Sequence, residues 1–251
     1  MLNILIPMAG AGSRFAVAGF KDPKPLIRLH GMPMIKLIIN NLTPKIAHRF
    51  IFVCQKEHAN QYALREKLNE WAPGCAVVEI EGLTMGAACT VLKAKDLINT
   101  DEPLMIANSD QFVDISIDDY LLEMGSNKLD GLIMTMTTID PKWSFVKLSN
   151  EKLVIDVVEK KAISNEATVG IYNYKHGADF VTAAEKMIQQ NIAVNGEFYV
   201  APAYNLMIQE NKKIGIYNIG AEGNGMYGLG IPSDLELFLK LPLSQKAAKA
   251  K

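Results

Sequence analysis

The chain opens on an apolar run, Leu2 to Ile6, that breaks off at Pro7-Met8-Ala9-Gly10, the pattern of a strand buried on both faces and followed by a turn. Similar runs occupy 49–54, 76–80 and 103–107, and between them apolar residues recur at helical spacing over 33–42, 57–71 and 86–98. Strands alternating with longer helices predict a crossover-connected parallel sheet. Ligands of such sheets lie beyond the C-terminal ends of the strands, where residues 7–14 and 108–111 both fall. After about residue 130 the strands crowd together, at 130–137, 144–149, 153–159 and 167–174, and helices follow at 177–190 and 200–211. Short strand signals from Ile214 to Gly230 lead to a helix starting near Pro232, with Ser233 and Asp234 in its acidic first turn. The Lys- and Ala-rich residues 245–251 predict a frayed tail.

Composition narrows the class. The 251 residues are 49% hydrophobic and 21% charged, enough for one large α/β domain with a sizeable core. We read 1–240 as that domain and 241–251 as the tail. A formal net charge of −1 gives no long-range attraction to nucleic acid or anionic membrane, so any phosphate affinity must be local. Asn3, Pro7 and Gly10 interrupt the first apolar stretch, so neither a signal peptide nor a membrane span is expected, and a cytoplasmic location follows by default. Cys54, Cys75 and Cys89 are odd in number and lack Cys-x-x-Cys spacing, which argues against a disulfide framework or structural zinc site. Self-association is left open.

The most informative residues are 7 to 28. Gly10 and Gly12 allow close approach of a ligand to the backbone, whose N–H groups in such a turn can converge on an anion. Arg14 adds a planar fork of donors, and Lys24, between Pro23 and Pro25, adds a compact charge on a stiffened segment. A dinucleotide fingerprint would need a third glycine where Phe15 stands, and a P-loop would need Lys and Ser/Thr where Ser13 and Arg14 stand.

Gly10-Ala11-Gly12-Ser13-Arg14 followed by Pro23-Lys24-Pro25-Leu26 resembles the signature of the nucleotidyltransferase family that includes nucleoside-diphosphate-sugar pyrophosphorylases. The resemblance extends over roughly 2–240. It implies a Rossmann-like α/β fold with a mixed, mainly parallel sheet flanked by helices, of the nucleotidyltransferase or GT-A type, with 1–130 as the nucleotide-binding half and 131–240 as the acceptor half. The implied reaction is attack of an acceptor phosphate on the α-phosphorus of a nucleoside triphosphate, releasing pyrophosphate. A phosphate monoester, with a second pKa of about 6, needs no general base, which accounts for His30, His48, His58 and His176 lying outside every motif.

The resemblance also implies roles. Ala9, Gly10, Ala11, Gly12 and Ser13 would cradle the phosphates, Arg14 would hold the leaving pyrophosphate, and Lys24 would act at the α-phosphate or acceptor phosphate. Asp110, in Asn108-Ser109-Asp110-Gln111 after the strand Pro103 to Ala107, would be the Mg²⁺ ligand beside Asn108 and Ser109; one carboxylate suffices to begin such a site. Relatives that use a second aspartate place it two residues before the glycine of a Gly-Thr-Pro-x-Asp-Leu pattern, here Gly230-Ile231-Pro232-Ser233-Asp234-Leu235, but that position is Gly228. Asp234 is expected to cap its helix, with Glu222 a substitute ligand.

Glu81 precedes the pair Gly86 and Ala87, whose counterparts pack against base and ribose. A carboxylate accepts but does not donate, so Glu81, if it reaches the base, would favour one that presents donors, the cytosine amino group or the guanine N1 and N2 edge, over thymine or uracil; CTP is slightly favoured, with dTTP and UTP retained. Val158-Glu159-Lys160-Lys161 resembles the family's Glu-Lys element and Gly170 its strand beneath the acceptor, with Glu197 a further polar contact. The acceptor would be a sugar 1-phosphate or a related phosphorylated small molecule. Two alternatives stand beside this reading: a nucleotide-sugar-dependent glycosyltransferase, although Asp110-Gln111-Phe112 breaks the Asp-x-Asp pattern, and a non-catalytic nucleotide-binding module.

Overall fold

The computed structural model describes residues 1–249. Its main sheet has nine strands, with Leu2–Pro7 in its interior. Leu2–Pro7 pairs in parallel with His48–Gln55 on one side and Leu104–Ala107 on the other, and His48–Gln55 pairs in parallel with Ala76–Ile80. These four strands form the parallel, crossover-connected part that the apolar runs predict.

Glu166–Tyr174 then runs antiparallel to Leu104–Ala107 and joins the two halves of the sheet. It pairs antiparallel with Gly131–Thr137, which takes Ile214–Asn218 in parallel, and also meets Ser144–Leu148, whose other neighbour is Val154–Glu159. The result is the mixed sheet flanked by helices that the family resemblance implies.

Alternation along the central strands divides their side chains between two cores. Ile4, Ile6, Phe50, Phe52 and Met105 enter one with the helices Met34–Leu42, Ile117–Ser126 and Pro232–Leu239. Leu5, Ile51, Val53, Leu104 and Ile106 enter the other with Ala87–Leu92, Gly177–Gln189 and Ala203–Gln209. Because both faces are covered, these strands are nearly continuous apolar runs. Burying each such side chain contributes about 1.5–3 kcal/mol, so the strand ends that carry the site stand on a well-fixed base.

Several helices depart from the periodicity. The run 57–71 is two helices, Lys56–Tyr62 and Leu64–Trp71, parted by Ala63 in the left-handed region at φ 49°. The run 86–98 is Ala87–Leu92 and Lys95–Ile98, and 200–211 shortens to Ala203–Gln209. Ile117–Ser126 was not apparent from the apolar pattern, although Ser116 accepts from the Asp119 N–H as a helix cap.

The tail needs a larger correction. Pro242–Lys249 is a helix with Ser244 and Ala247 buried. The Ser244 hydroxyl bonds to the Leu241 carbonyl and lies 2.8 Å from His30 Nε2. Leu241 and Leu243 pack partly buried against the core beside the small buried Ser244 and Ala247, so the Lys- and Ala-rich composition suggests fraying where packing is present. Residues 250–251 of the expected tail lie outside the described residues.

Candidate active site

Beyond Pro7 the chain turns through residues 8–12 into the short helix Ser13–Val17. Gly12 has φ 61°, and a Cβ there would meet Lys24 Cβ at 3.4 Å, so the turn and the lysine segment seat directly on each other. Gly10 has open space where a side chain would project, leaving the backbone accessible. Pro23 is extended as its neighbours predict, but Lys24–Leu26 closes one tight helical turn instead of continuing extended. That turn aims Lys24 Nζ at Asp110 Oδ2, 2.7 Å away.

A cavity of about 410 Å³ forms above these strand ends, lined by Ala9, Gly10, Ala11, Lys24, Gly86, Ala87, Asn108, Ser109, Asp110 and Glu197, among others. Gly12, Ser13 and Arg14 line a smaller space of about 220 Å³ that shares Lys24 and Asp110 with it. Arg14 is exposed and makes no ion pair among the described residues, so its guanidinium is available to an anion. A third space of about 250 Å³ contains Glu159, Lys160 and Gly170. It shares Ala87, Asn108 and Tyr199 with the first, so the two adjoin at those residues.

Asn108 is the hinge between them. Its N–H donates to the Gly170 carbonyl at 2.9 Å, and a side chain on Gly170 (φ 81°) would collide with the Asn108 amide. Gly170 lies where the pairing with Gly131–Thr137 shifts register, between Thr168 and Tyr172, a bulge that brings the strand against the end of Leu104–Ala107.

The third space is polar and cross-linked. Glu159 accepts a short bond from the Ser144 hydroxyl, and burial raises its carboxyl pKa despite the opposing effects of Ser144 and Lys160. Lys160 donates to Tyr199 at 2.5 Å, and Tyr199 donates to Glu197 at 2.5 Å. The bond to Tyr199 raises the Lys160 pKa, while burial and then the bond to Glu197 raise that of Tyr199. Glu159, Lys160 and Glu197 thus meet around Tyr199, which lies in the same segment as Glu197, Asn195 to Tyr199, and joins that residue to Lys160.

Glu81 is the residue that the structure separates from the others. It is 78% exposed, pairs with Lys56 at 2.8 Å and is absent from the cavity wall; the Lys56 bond holds its carboxyl below the usual range. The charge-based preference for CTP therefore has no side chain in the pocket to carry it. On that side the wall is Leu83, Thr84, Gly86, Ala87 and Thr90, with the Thr84 and Thr90 hydroxyls 2.6 Å apart.

Gln55 is a residue that the motifs miss. Its amide donates to the Ala9 carbonyl at 2.7 Å and the Gly82 carbonyl at 2.9 Å, tying the glycine turn to the 81–86 loop. The two remaining expectations, for Asp234 and Glu222, also change. Asp234 makes no capping bond at the start of its helix, and Glu222 is held at 3.0 Å by Lys142, which lines the third space.

A glycine turn, a lysine and an aspartate around one cavity at the strand ends, joined to a second polar space, are the arrangement of a nucleotidyltransferase-type α/β fold. The Nucleotidyl transferase family matches residues 4–198, and the chain belongs to that family. The chain is 22% identical over 243 residues to the mannose-1-phosphate guanylyltransferase catalytic subunit beta of Dictyostelium discoideum, covering 92% of this chain and 64% of that protein. It is 23% identical over 220 residues to the bifunctional protein GlmU of Methanocaldococcus jannaschii, covering 86% of this chain and 49% of that protein. It thus spans about half to two thirds of these relatives. Among solved structures, a nucleoside-diphosphate-sugar pyrophosphorylase from Vibrio cholerae RC9 superposes with a TM-score of 0.81 at 25% identity, covering 95% of this chain and 100% of that one. The inositol-1-phosphate CTP transferase from T. maritima shares the fold at a TM-score of 0.73 and 15% identity, covering 99% and 96%. Among the described residues no helix is long and apolar enough to cross a membrane.

Proposed function

We propose that this chain is a Mg²⁺-dependent nucleotidyltransferase that moves a nucleoside monophosphate from a nucleoside triphosphate to a phosphorylated small-molecule acceptor and releases pyrophosphate. The observation that carries this reading is the shared wall: the cavity with the glycine turn, Lys24 and Asp110 adjoins, at Asn108, Ala87 and Tyr199, the space with Glu159 and Lys160. Two phosphorylated substrates placed there would meet between Lys24 and Lys160.

The chain's own groups would act by holding and neutralising charge. Loop amides at 9–13 and Arg14 would bind the phosphates that leave, while Lys24 would stabilise charge building on the α-phosphate. Lys160 would orient the acceptor phosphate, and Glu159 and Glu197 would accept from acceptor hydroxyls. An acceptor oxygen then forms the new bond to the α-phosphorus as the bond to pyrophosphate breaks. Asp110 fits a hard cation: it offers carboxylate oxygen, and Gly230 leaves a cradle beside it in which a Cβ would lie 2.8 Å from Oδ2. Bound there, Mg²⁺ would offset phosphate charge.

CTP heads the donor panel as the expectation from sequence. The relatives name different substrates, including UDP-glucose for one fold neighbour and mannose 1-phosphate for another relative, so base and acceptor are tested together. The experiment is pyrophosphate release across CTP, UTP, dTTP, GTP and ATP against sugar 1-phosphates, inositol 1-phosphate and phosphocholine with Mg²⁺. Release dependent on one donor and one acceptor is expected. Nucleotide binding without release in any combination would favour a non-catalytic module.

A further inference from the structure

Gly228 ends the strand Gly225–Gly228, and Gly230 stands two residues further on, in the bend that leads to the helix Pro232–Leu239. Leu229 between them is fully buried. Neither glycine is among those with positive φ, so backbone strain does not explain them. Two carboxylates do. A Cβ on Gly230 would lie 2.8 Å from Asp110 Oδ2, and a Cβ on Gly228 would lie 3.1 Å from Asp234 Oδ2.

This bare strip is a cradle filled from two directions, by Asp110 from the end of Leu104–Ala107 and by Asp234 from the first turn of Pro232–Leu239. The pairing fixes the strip in place: Gly228 lies opposite Gln111, and the Leu229 N–H donates to the Asp110 carbonyl at 2.8 Å. Residues two apart in a chain can be separated by no more than about 7 Å, so both carboxylates rest against one short strip of backbone. Asp234 has no other evident employment. It makes no cap bond, no ion pair among the described residues, and only a 3.4 Å contact from the Ser233 hydroxyl.

We infer that Asp234 supplies the second carboxylate of the divalent-cation site, occupying from the helix the space that a side chain at 228 would otherwise fill. This rests on the reading of Asp110 as the first ligand. Glu222, the other candidate, is committed to Lys142.

The test is Mn²⁺ alone, titrated against the full chain and followed by the loss of its free-ion signal in electron paramagnetic resonance. Asp234→Asn should weaken Mn²⁺ at least about tenfold, within the 10–100-fold losses typical of metal-site partners. The paired change Gly228→Asp with Asp234→Ala should restore it, because the carboxylate returns to the strip from the other side. Ser233→Ala, the neighbouring control, should leave affinity unchanged. Thermal unfolding of each variant confirms that the fold is intact. If Asp110→Asn weakens Mn²⁺ but Asp234→Asn does not, the Asp234 assignment falls while the reading of Asp110 stands. If Asp234→Asn weakens it and the paired change fails to restore it, the carboxylate assignment falls as well. If Asp110→Asn has no effect, the metal reading itself fails.

Discussion

Lys24 Nζ lies 2.7 Å from Asp110 Oδ2, with both side chains about three-quarters covered. The two charges central to the proposed chemistry therefore neutralise each other before any substrate arrives. A cation at Asp110 would compete with Lys24, and an incoming phosphate would give the displaced ammonium a new anion, so the two exchanges support each other. Lys24→Ala should reduce kcat by about 10²–10³-fold, the scale for loss of a group that meets charge in the transition state, with a smaller change in KM. Steady-state kinetics on the preferred donor and acceptor checks this; an unchanged kcat would remove Lys24 from catalysis.

Glu81 should be silent in base selection. Its bond to Lys56 lies at the surface, where solvent screens ion pairs. Glu81→Gln is expected to preserve the ranking of kcat/KM across the nucleotide panel. A reordered panel would show that the 81–86 loop brings this side chain to the base during turnover.

Glu159 should give a pH-dependent stability signature. Burial raises its folded-state pKa above the ordinary 4.5, so between 4.5 and that raised value the folded chain binds more proton than the unfolded one. Stability linked to this group is present below 4.5 and is lost as pH rises through the folded pKa. Glu159→Gln removes the titration and retains an acceptor for Ser144. Thermal unfolding from pH 4 to 8 should show the wild type losing ground to the variant as pH rises. A difference that stays flat with pH would contradict the raised carboxyl.

Gly86 is expected to tolerate no side chain. Its φ of 113° is a glycine conformation, and a Cβ would lie 2.5 Å from the Phe198 carbonyl oxygen. Gly86→Ala should destabilise the fold by roughly 2–4 kcal/mol through strain and overlap. Chemical unfolding measures this, and an unchanged midpoint would show that the loops separate freely.

The side proposed for the nucleotide is legible in the sequence and much of the side proposed for the acceptor is not, for a physical reason. The turn at 9–14, Lys24 and Asp110 follow local rules: an apolar run fixes a strand, its end fixes a site, and glycines mark close approach. The contacts among Lys160, Tyr199 and Glu197 join residues up to 39 positions apart, and Gln55 reaches Ala9 across 46; no short-range pattern announces either. Glu81 shows the converse error. Its distance in sequence from Gly86 suits a base contact, but Lys56 captures it outside the cavity. The helix Pro242–Lys249 is masked by its Lys- and Ala-rich composition, because its anchors are few, Leu243, Ser244 and Ala247, and the partner of Ser244, His30, lies 214 residues away.

The loop carrying Glu197 and Tyr199 is stitched to the loop entering the nucleotide side. The Phe198 N–H donates to the Met85 carbonyl at 2.8 Å, and its carbonyl accepts from the Ala88 N–H at 3.0 Å. The two walls therefore form one transplantable unit. A graft that imports residues 194–200 from a relative to change acceptor choice must bring that relative's 82–88 with it. Exchanged alone, the acceptor loop would lose the backbone seam against which its side chains are aimed.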